Sequence, residues 1–233
     1  MRYCLSKNTY KYLRKIKQLN MDNLAKQITE LNKQLASQVE PETLLAFQKS
    51  IEDLKEKQIE NRSLHTGQKF PDFELQNFDH KIISLQNLVK GKSKVIIAFL
   101  RGSWCPYCNL ELRALQNDLQ NFEDKNAKLI VITPQPAETN LEWQKQHDIA
   151  FEIITDKDNQ LAKKAGIDFD LQDFVIPHYE KLGIDLPKIN LSSSHNLPIP
   201  AVFVVNSDSI ITYKYVNSNY MERIDIEELL KHL

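Results

Sequence analysis

Residues 95–112 read Val95-Ile96-Ile97-Ala98-Phe99-Leu100-Arg101-Gly102-Ser103-Trp104-Cys105-Pro106-Tyr107-Cys108-Asn109-Leu110-Glu111-Leu112. The first six residues are an apolar run rich in β-branched side chains, the pattern of a buried strand, and the Arg-Gly-Ser turn ends it. Pro106 is accepted in the first turn of a helix, so Cys105 falls at or just before a helix N-terminus. Free backbone N–H groups and the positive end of the macrodipole stabilise a thiolate there, which lowers the thiol pKa. Cys108, three residues on, lies on the same helix face and within reach of a reversible small-loop disulfide. A structural crosslink gains more from closing a long loop, so the pair reads as a redox site.

Other readings of the pair are weaker. A zinc knuckle requires a second ligand pair, yet Cys4 is the remaining cysteine and no His pair has ligand spacing, so neither metal nor organic cofactor is expected. Two plain core cysteines seldom arrive as Trp-Cys-Pro-Tyr-Cys after a strand. Three cysteines, an odd number, do not make a secreted disulfide framework, and a reducing compartment, the cytoplasm, fits best. A net charge of −1 leaves no global basic surface for nucleic acid. No apolar run approaches the roughly 20 residues that span a bilayer, so no membrane partner is expected. Gly91-Lys92-Ser93-Lys94 lacks the spacing of a phosphate loop.

Working outward, residues 1–20 carry Arg2, Lys7, Lys11, Arg14, Lys15 and Lys17 without an acidic residue. They read as a basic tail, with Met21 an alternative native start, and Cys4 within it as incidental. Residues 21–60 read as a helical hairpin. Leu24, Ile28, Leu31 and Leu35 form one stripe, and Leu44, Leu45, Phe47, Ile51 and Leu54 another, separated at Glu40-Pro41. Such stripes serve either docking on the chain's own core or a share in a homodimer interface. Residues 65–233 read as an α/β domain with alternating strands and helices. A β-hairpin spans 73–85, and a cysteine-bearing helix covers 106–122 with Leu110, Leu112, Leu115, Leu119 and Phe122 inward. Strands follow at 129–133 and 151–155, helices at 138–147 and 158–165. Gly166 ends the last of these. Residues 167–197, broken by Pro177, Gly183 and Pro187, read as an irregular lid or partner-facing segment in which His178 and His195 are mostly surface residues. Two antiparallel strands at 201–206 and 210–216 precede a closing helix over 224–232.

Residues 99–112 resemble the active-site segment of the alkyl hydroperoxide reductase and thiol-specific antioxidant family, the peroxiredoxins, and more narrowly its peroxiredoxin-like branch with a Cys-x-x-Cys motif. Gly67-Gln68-Lys69-Phe70-Pro71-Asp72-Phe73 resembles that family's opening segment, and Ile199-Pro200-Ala201-Val202-Phe203-Val204-Val205-Asn206 its later strand. The resemblance runs from about residue 65 to 233. It implies a thioredoxin-like fold, a central mixed sheet flanked by helices, with Pro200 in the cis state facing the cysteines; a trans peptide there would count against that fold.

An ordinary member carries Pro-x-x-x-[Thr/Ser]-x-x-Cys and an Arg from a later strand beside the thiolate. In that register Arg101 stands at the proline, Cys105 at the hydroxyl residue and Cys108 at the peroxide-attacking cysteine, while Pro200 occupies the later Arg position. The helix-start argument instead favours Cys105 as the more exposed, more acidic thiol, with Arg101 supplying positive charge. The expected activity is antioxidant peroxidase chemistry on hydrogen peroxide or organic hydroperoxides through a Cys105/Cys108 disulfide, restored by thioredoxin or a similar dithiol. Trp104 and Tyr107 would line the opening or serve as core aromatics, and Glu111 reads as a helix-stabilising charge. The alternatives are a thiol-disulfide oxidoreductase acting on protein disulfides and a redox-switched binding module.

Overall fold

The computed structural model describes residues 23–233, so the basic tail, Met21 and Cys4 lie outside the described residues. The central sheet has five strands in the order β5-β4-β3-β8-β9, where β3 is Lys94–Phe99, β4 Ala127–Thr133, β5 Glu152–Thr155, β8 Ala201–Asn206 and β9 Ile211–Val216. β3 pairs parallel with β4 and antiparallel with β8, and every one of its residues from Val95 to Phe99 is buried. The apolar run of the sequence is therefore the middle of the sheet.

Alternation along that strand divides the core. Val95, Ile97 and Phe99 point into one hydrophobic cluster and Ile96 and Ala98 into the other, as a period of two requires. The first cluster is closed by the hairpin β1 (Glu74–Gln76) and β2 (Ile82–Ser84) and by the short helix α3 (Leu85–Val89). The second holds α4 (Pro106–Asn117), with Cys105 at its N-cap and Cys108 in its first turn, α5 (Leu119–Asp124) and α6 (Ala137–Gln146). The expected 106–122 helix is broken at Asp118, whose φ/ψ of −99°/5° ends the helical run.

Helix α1 (Leu24–Gln38) lays Ile28, Leu31 and Leu35 against the second cluster, and Tyr107 on α4 donates its hydroxyl to Asn32 at 2.6 Å. Helix α2 (Pro41–Glu56) starts on a proline and buries Thr43, Ala46, Ser50, Ile51 and Leu54, while Leu45 remains 65% exposed. The two stripes thus meet different parts of the chain's own core.

Residues 167–197 depart from the irregular expectation. β6 (Asp168–Asp170) pairs antiparallel with β7 (Asn196–Pro198), and α8 (Ile176–Lys181) and α9 (Leu186–Asn190) lie between them over a third small cluster of Leu171, Val175, Tyr179, Leu186 and Leu197. Pro177 and Pro187, read as breakers, sit in the first turns of these helices, where a missing N–H loses nothing. α7 (Gln160–Lys164) and α10 (Ile226–Lys231) complete the helices used below.

The cis peptide expected before Pro200 is a second correction, because the described residues contain no cis bond. The chain runs extended from β7 into β8, and the Ile199 N–H donates to the Ile167 carbonyl at 2.7 Å, so no reversal is required and the trans preference of the tertiary amide prevails. The sheet order retains the thioredoxin-like layout all the same.

Gly166, after α7, has φ +70°, and a β-carbon there would run into the Arg62 carbonyl. Gly166→Ala is expected to lower stability by about 2 kcal/mol or more, since both the left-handed backbone and the contact with main chain oppose it; urea unfolding measures the loss.

Candidate active site

The sheet register brings distant chain segments to one edge. Phe99 pairs with Ile132 on one side and Ala201 on the other, and Ala201 pairs with Val216. The residues that leave β3, β4 and β9 and the one that enters β8 therefore emerge together, at the carboxyl ends of the parallel strands where α/β sheets carry their sites. They are Arg101, Gln135, Pro200 and the segment through Arg223.

The turn before the cysteines is clamped. Gln135 accepts from the Ser103 N–H at 2.5 Å and donates to the Ser103 hydroxyl at 3.0 Å. A side chain on Gly102, at φ +137°, would meet Gln135 and the Trp104 indole. Asn109 donates to the carbonyls of Ser103 at 2.8 Å and Cys105 at 3.1 Å, and itself accepts from the Trp143 indole at 2.6 Å. Cys105 is the N-cap of α4 and Cys108 lies on its first turn, as the spacing predicts.

Both thiols are free and both are buried, Cys105 at 2% exposure and Cys108 at 0%. The expected exposure of Cys105 is thereby corrected: Trp104, Tyr107 and the C-terminal segment close over the helix start. Two arginines reach the pair. Arg223, after β9, directs one guanidinium nitrogen at Cys108 Sγ (3.5 Å) and Cys105 Sγ (3.9 Å) and another at Glu111 (2.5 Å). Arg101 donates its backbone N–H to Cys108 Sγ at 3.4 Å, and its buried side chain donates to the Tyr179 hydroxyl. The Arg101 guanidinium stacks against Tyr220 (4.4 Å to the ring centroid) and Trp104 (4.9 Å). Pro200, Tyr179 and Tyr220 line a crevice of about 10 Å³ beside it, room for one water-sized molecule.

Burial opposes ionisation of both sulfurs, and the surroundings split them. For Cys105 the opposition is overcome by a hydrogen bond from the Cys108 thiol, by the charges of Arg101 and Arg223 and by the Cys108 N–H, which bring its pKa down to about 5. For Cys108, burial, the bond to Cys105 and the charge on it together hold the pKa well above the ordinary range. The arrangement is a thiolate beside a protonated partner one turn along.

Arg101, Trp104, Cys105, Cys108 and Pro200 are thus brought into one place. Tyr107 is a buried core residue tied to α1. His178 binds Thr43 at 2.9 Å and the His195 carbonyl accepts from Leu171 N–H at 3.1 Å, and neither side chain bonds to a cysteine. Glu111, read as a helix-stabilising charge, is buried and ion-paired with Arg223. Its position four residues before Leu115 and three after Cys108, on the apolar face of α4, was the sign in the sequence that it needs a cation. Arg223, Tyr179 and Tyr220 left no such sign, since each is brought in by tertiary packing. Among the described residues no group of three or more His, Cys, Asp or Glu side chains is placed to hold a metal ion, and no helix is long and apolar enough to cross a membrane.

Glu111→Gln keeps the shape of the side chain but leaves Arg223 buried without its carboxylate. The expected loss is about 3–5 kcal/mol in urea unfolding of the reduced protein at pH 7. Because the Cys105 pKa is lower in the folded protein than in an unfolded chain, its thiolate adds stability that is fully present above the ordinary thiol pKa and lost as pH falls through about 5. Unfolding midpoints of the reduced protein measured from pH 9 to 4 should fall toward acid, and Cys105→Ser should give a flatter profile.

Residues 66–214, well over half the chain, match the AhpC/TSA family. Peroxiredoxin Bcp of Bacillus subtilis is 25% identical over 101 residues, covering 43% of this chain and 63% of that protein. Peroxiredoxin Q, chloroplastic, of Oryza sativa subsp. japonica is 23% identical over 167 residues, covering 72% and 65%. The chain spans just under two thirds of the length of the curated relatives it matches. The crystal structure of peroxidoxin BcpB from Mycobacterium tuberculosis superposes with a TM-score of 0.56 at 15% identity, over 72% of this chain and 96% of that one, a likeness of fold. With the two-cysteine turn inside the matched span, the chain belongs to the AhpC/TSA family.

Proposed function

We propose that the protein is a thiol-dependent peroxidase, an oxidoreductase that reduces hydrogen peroxide or small organic hydroperoxides. The reading is carried by one arrangement: Cys105 at the N-cap of α4 has the Arg223 guanidinium at 3.9 Å and the Cys108 thiol three residues on, surroundings that lower the Cys105 pKa and raise that of Cys108. The Cys105 thiolate attacks the terminal oxygen of the hydroperoxide and breaks the O–O bond, giving a Cys105 sulfenic acid and an alkoxide or hydroxide that takes a proton to leave as alcohol or water. The Cys108 sulfur then displaces hydroxide from the sulfenic acid, its own proton going with it as water, and a Cys105–Cys108 disulfide forms. The matched relatives carry the name peroxiredoxin, which supports this chemistry.

Burial argues against the protein-disulfide alternative. At 2% and 0% exposure the two sulfurs admit a peroxide far more easily than the crosslink of another protein. A dithiol reductant of the thioredoxin type must nevertheless reach the disulfide. Its formation consumes the thiolate and leaves Arg223 paired with Glu111 and Arg101 buried with no anion, an imbalance that favours opening of the site for reduction. A reducing compartment, the cytoplasm, would supply that dithiol.

Stopped-flow mixing of the reduced protein with hydrogen peroxide tests the reading. The wild type should react about 100-fold or more faster than free cysteine, the margin that preorganised charge supplies. Cys105→Ser should abolish the fast phase, and Cys108→Ser should give one turnover and accumulate the sulfenic acid at Cys105. Wild-type oxidation no faster than free cysteine would end the peroxidase reading.

A further inference from the structure

We propose that Tyr179 is a positioning residue: its hydroxyl fixes the direction of the Arg101 guanidinium beside Trp104 at the turn that carries the cysteine pair, so that the segment from β6 to β7 sets a counter-charge of the thiolate. The inference rests on the Cys105 thiolate of the proposed function and adds the group that controls it from outside the sheet.

Arg101 is 2% exposed, yet among the described residues it has no carboxylate partner. Its one side-chain hydrogen bond goes to Tyr179, its Nε has none, and its remaining neighbours are the ring faces of Trp104, Tyr220 and Tyr179. Ring faces attract a cation without fixing its direction, whereas a hydrogen bond does both. The orientation of this charge is therefore in the hands of one hydroxyl.

Tyr179 is itself well anchored. It is 5% exposed on α8, its carbonyl accepts from the Ile184 N–H at 2.9 Å, and its ring meets Phe47 of α2 at 5.5 Å and Trp104 at 5.8 Å, both edge to face. α8 is in turn tied to α2 through the Thr43–His178 bond. The oxygen offered to Arg101 is thus fixed by two helices that belong neither to the sheet nor to α4.

The groups around Cys105 show what the contact does. Cys108 and Tyr107 act on it from α4, Arg101 from the turn after β3, Arg223 and Tyr220 from the segment after β9, and Tyr179 from α8, while Glu111 is paired with Arg223. Burial raises the pKa of all three tyrosines, so they are neutral at pH 7. Arg223 divides its charge between Glu111 and the two sulfurs, whereas Arg101 has no carboxylate to share its charge with and acts more strongly on Cys105. Removing the Tyr179 hydroxyl changes no charge in the site and acts only by releasing Arg101.

Iodoacetamide alkylation of the reduced protein as a function of pH, with Cys105 resolved by mass spectrometry, tests this without any peroxide. A failure of the peroxidase kinetics therefore leaves the result standing, and the reverse. Tyr179→Phe is expected to move the midpoint upward by about one pH unit, the effect of loosening a nearby cation. Arg101→Gln should raise it as well, and the double variant should show no further rise. Phe47→Leu, which loosens the tyrosine ring but keeps its hydroxyl, should move the midpoint in the same direction by less, and it supplies the test should Tyr179→Phe not fold. A loss of stability with an unchanged midpoint in Tyr179→Phe would make the residue purely structural and overturn the proposal, as would an equal rise from Tyr179→Phe with Arg101 already replaced.

Discussion

A balance of buried charge governs this molecule. Two guanidinium groups, Arg101 and Arg223, are sequestered beside one carboxylate, Glu111, and two sulfurs. Isolated charges are costly in such a place, and the set becomes neutral only when one sulfur is ionised. The lowered pKa of Cys105 follows the same balance, since its ionisation supplies the anion that the two guanidinium groups and one carboxylate lack. Helix geometry selects which sulfur carries it, because Cys105 at the N-cap receives both the Cys108 N–H and the Cys108 thiol hydrogen, while from the backbone Cys108 receives the Arg101 N–H alone.

The fold supplies the balance by convergence. A five-stranded mixed sheet places the ends of four strands at one edge, and the helix that follows β3 there brings both cysteines into the cluster that also holds residues of α1, α4 and α6. The turn that carries Arg101 is held from below by Gln135 and Asn109, and its guanidinium from outside by α8. Hydrophobic packing brings the segments together, while the polar contacts within it decide where each charge points. Those two kinds of work fall largely to different residues.

The fold was largely legible because its signals are local. The Val95–Leu100 run, the strand at 129–133 and the helix opened by Pro106 each announce themselves within a few residues, and the two cysteines mark the site at the same scale. What stayed hidden depends on partners far away. Tyr179 is 78 residues from Arg101, and Arg223 is 112 from Glu111, so neither pairing leaves a pattern in a short window. Elements of three to six residues between 168 and 198 fall below the length at which a period can be seen, and their prolines gave the wrong sign. The cover over Cys105 has the same origin: a helix start is open to solvent until a distant part of the chain packs over it, as the C-terminal segment does here.

The distance along the chain between Cys105 and Arg223, 118 residues, bears on the order in which the protein is made. A ribosome delivers the two thiols long before the cation that helps ionise one of them. Until the last strand and the segment after it are in place, these sulfurs keep the sluggish behaviour of ordinary cysteines in an open chain. The charge that helps to lower the Cys105 pKa thus arrives only with the closing of the fold.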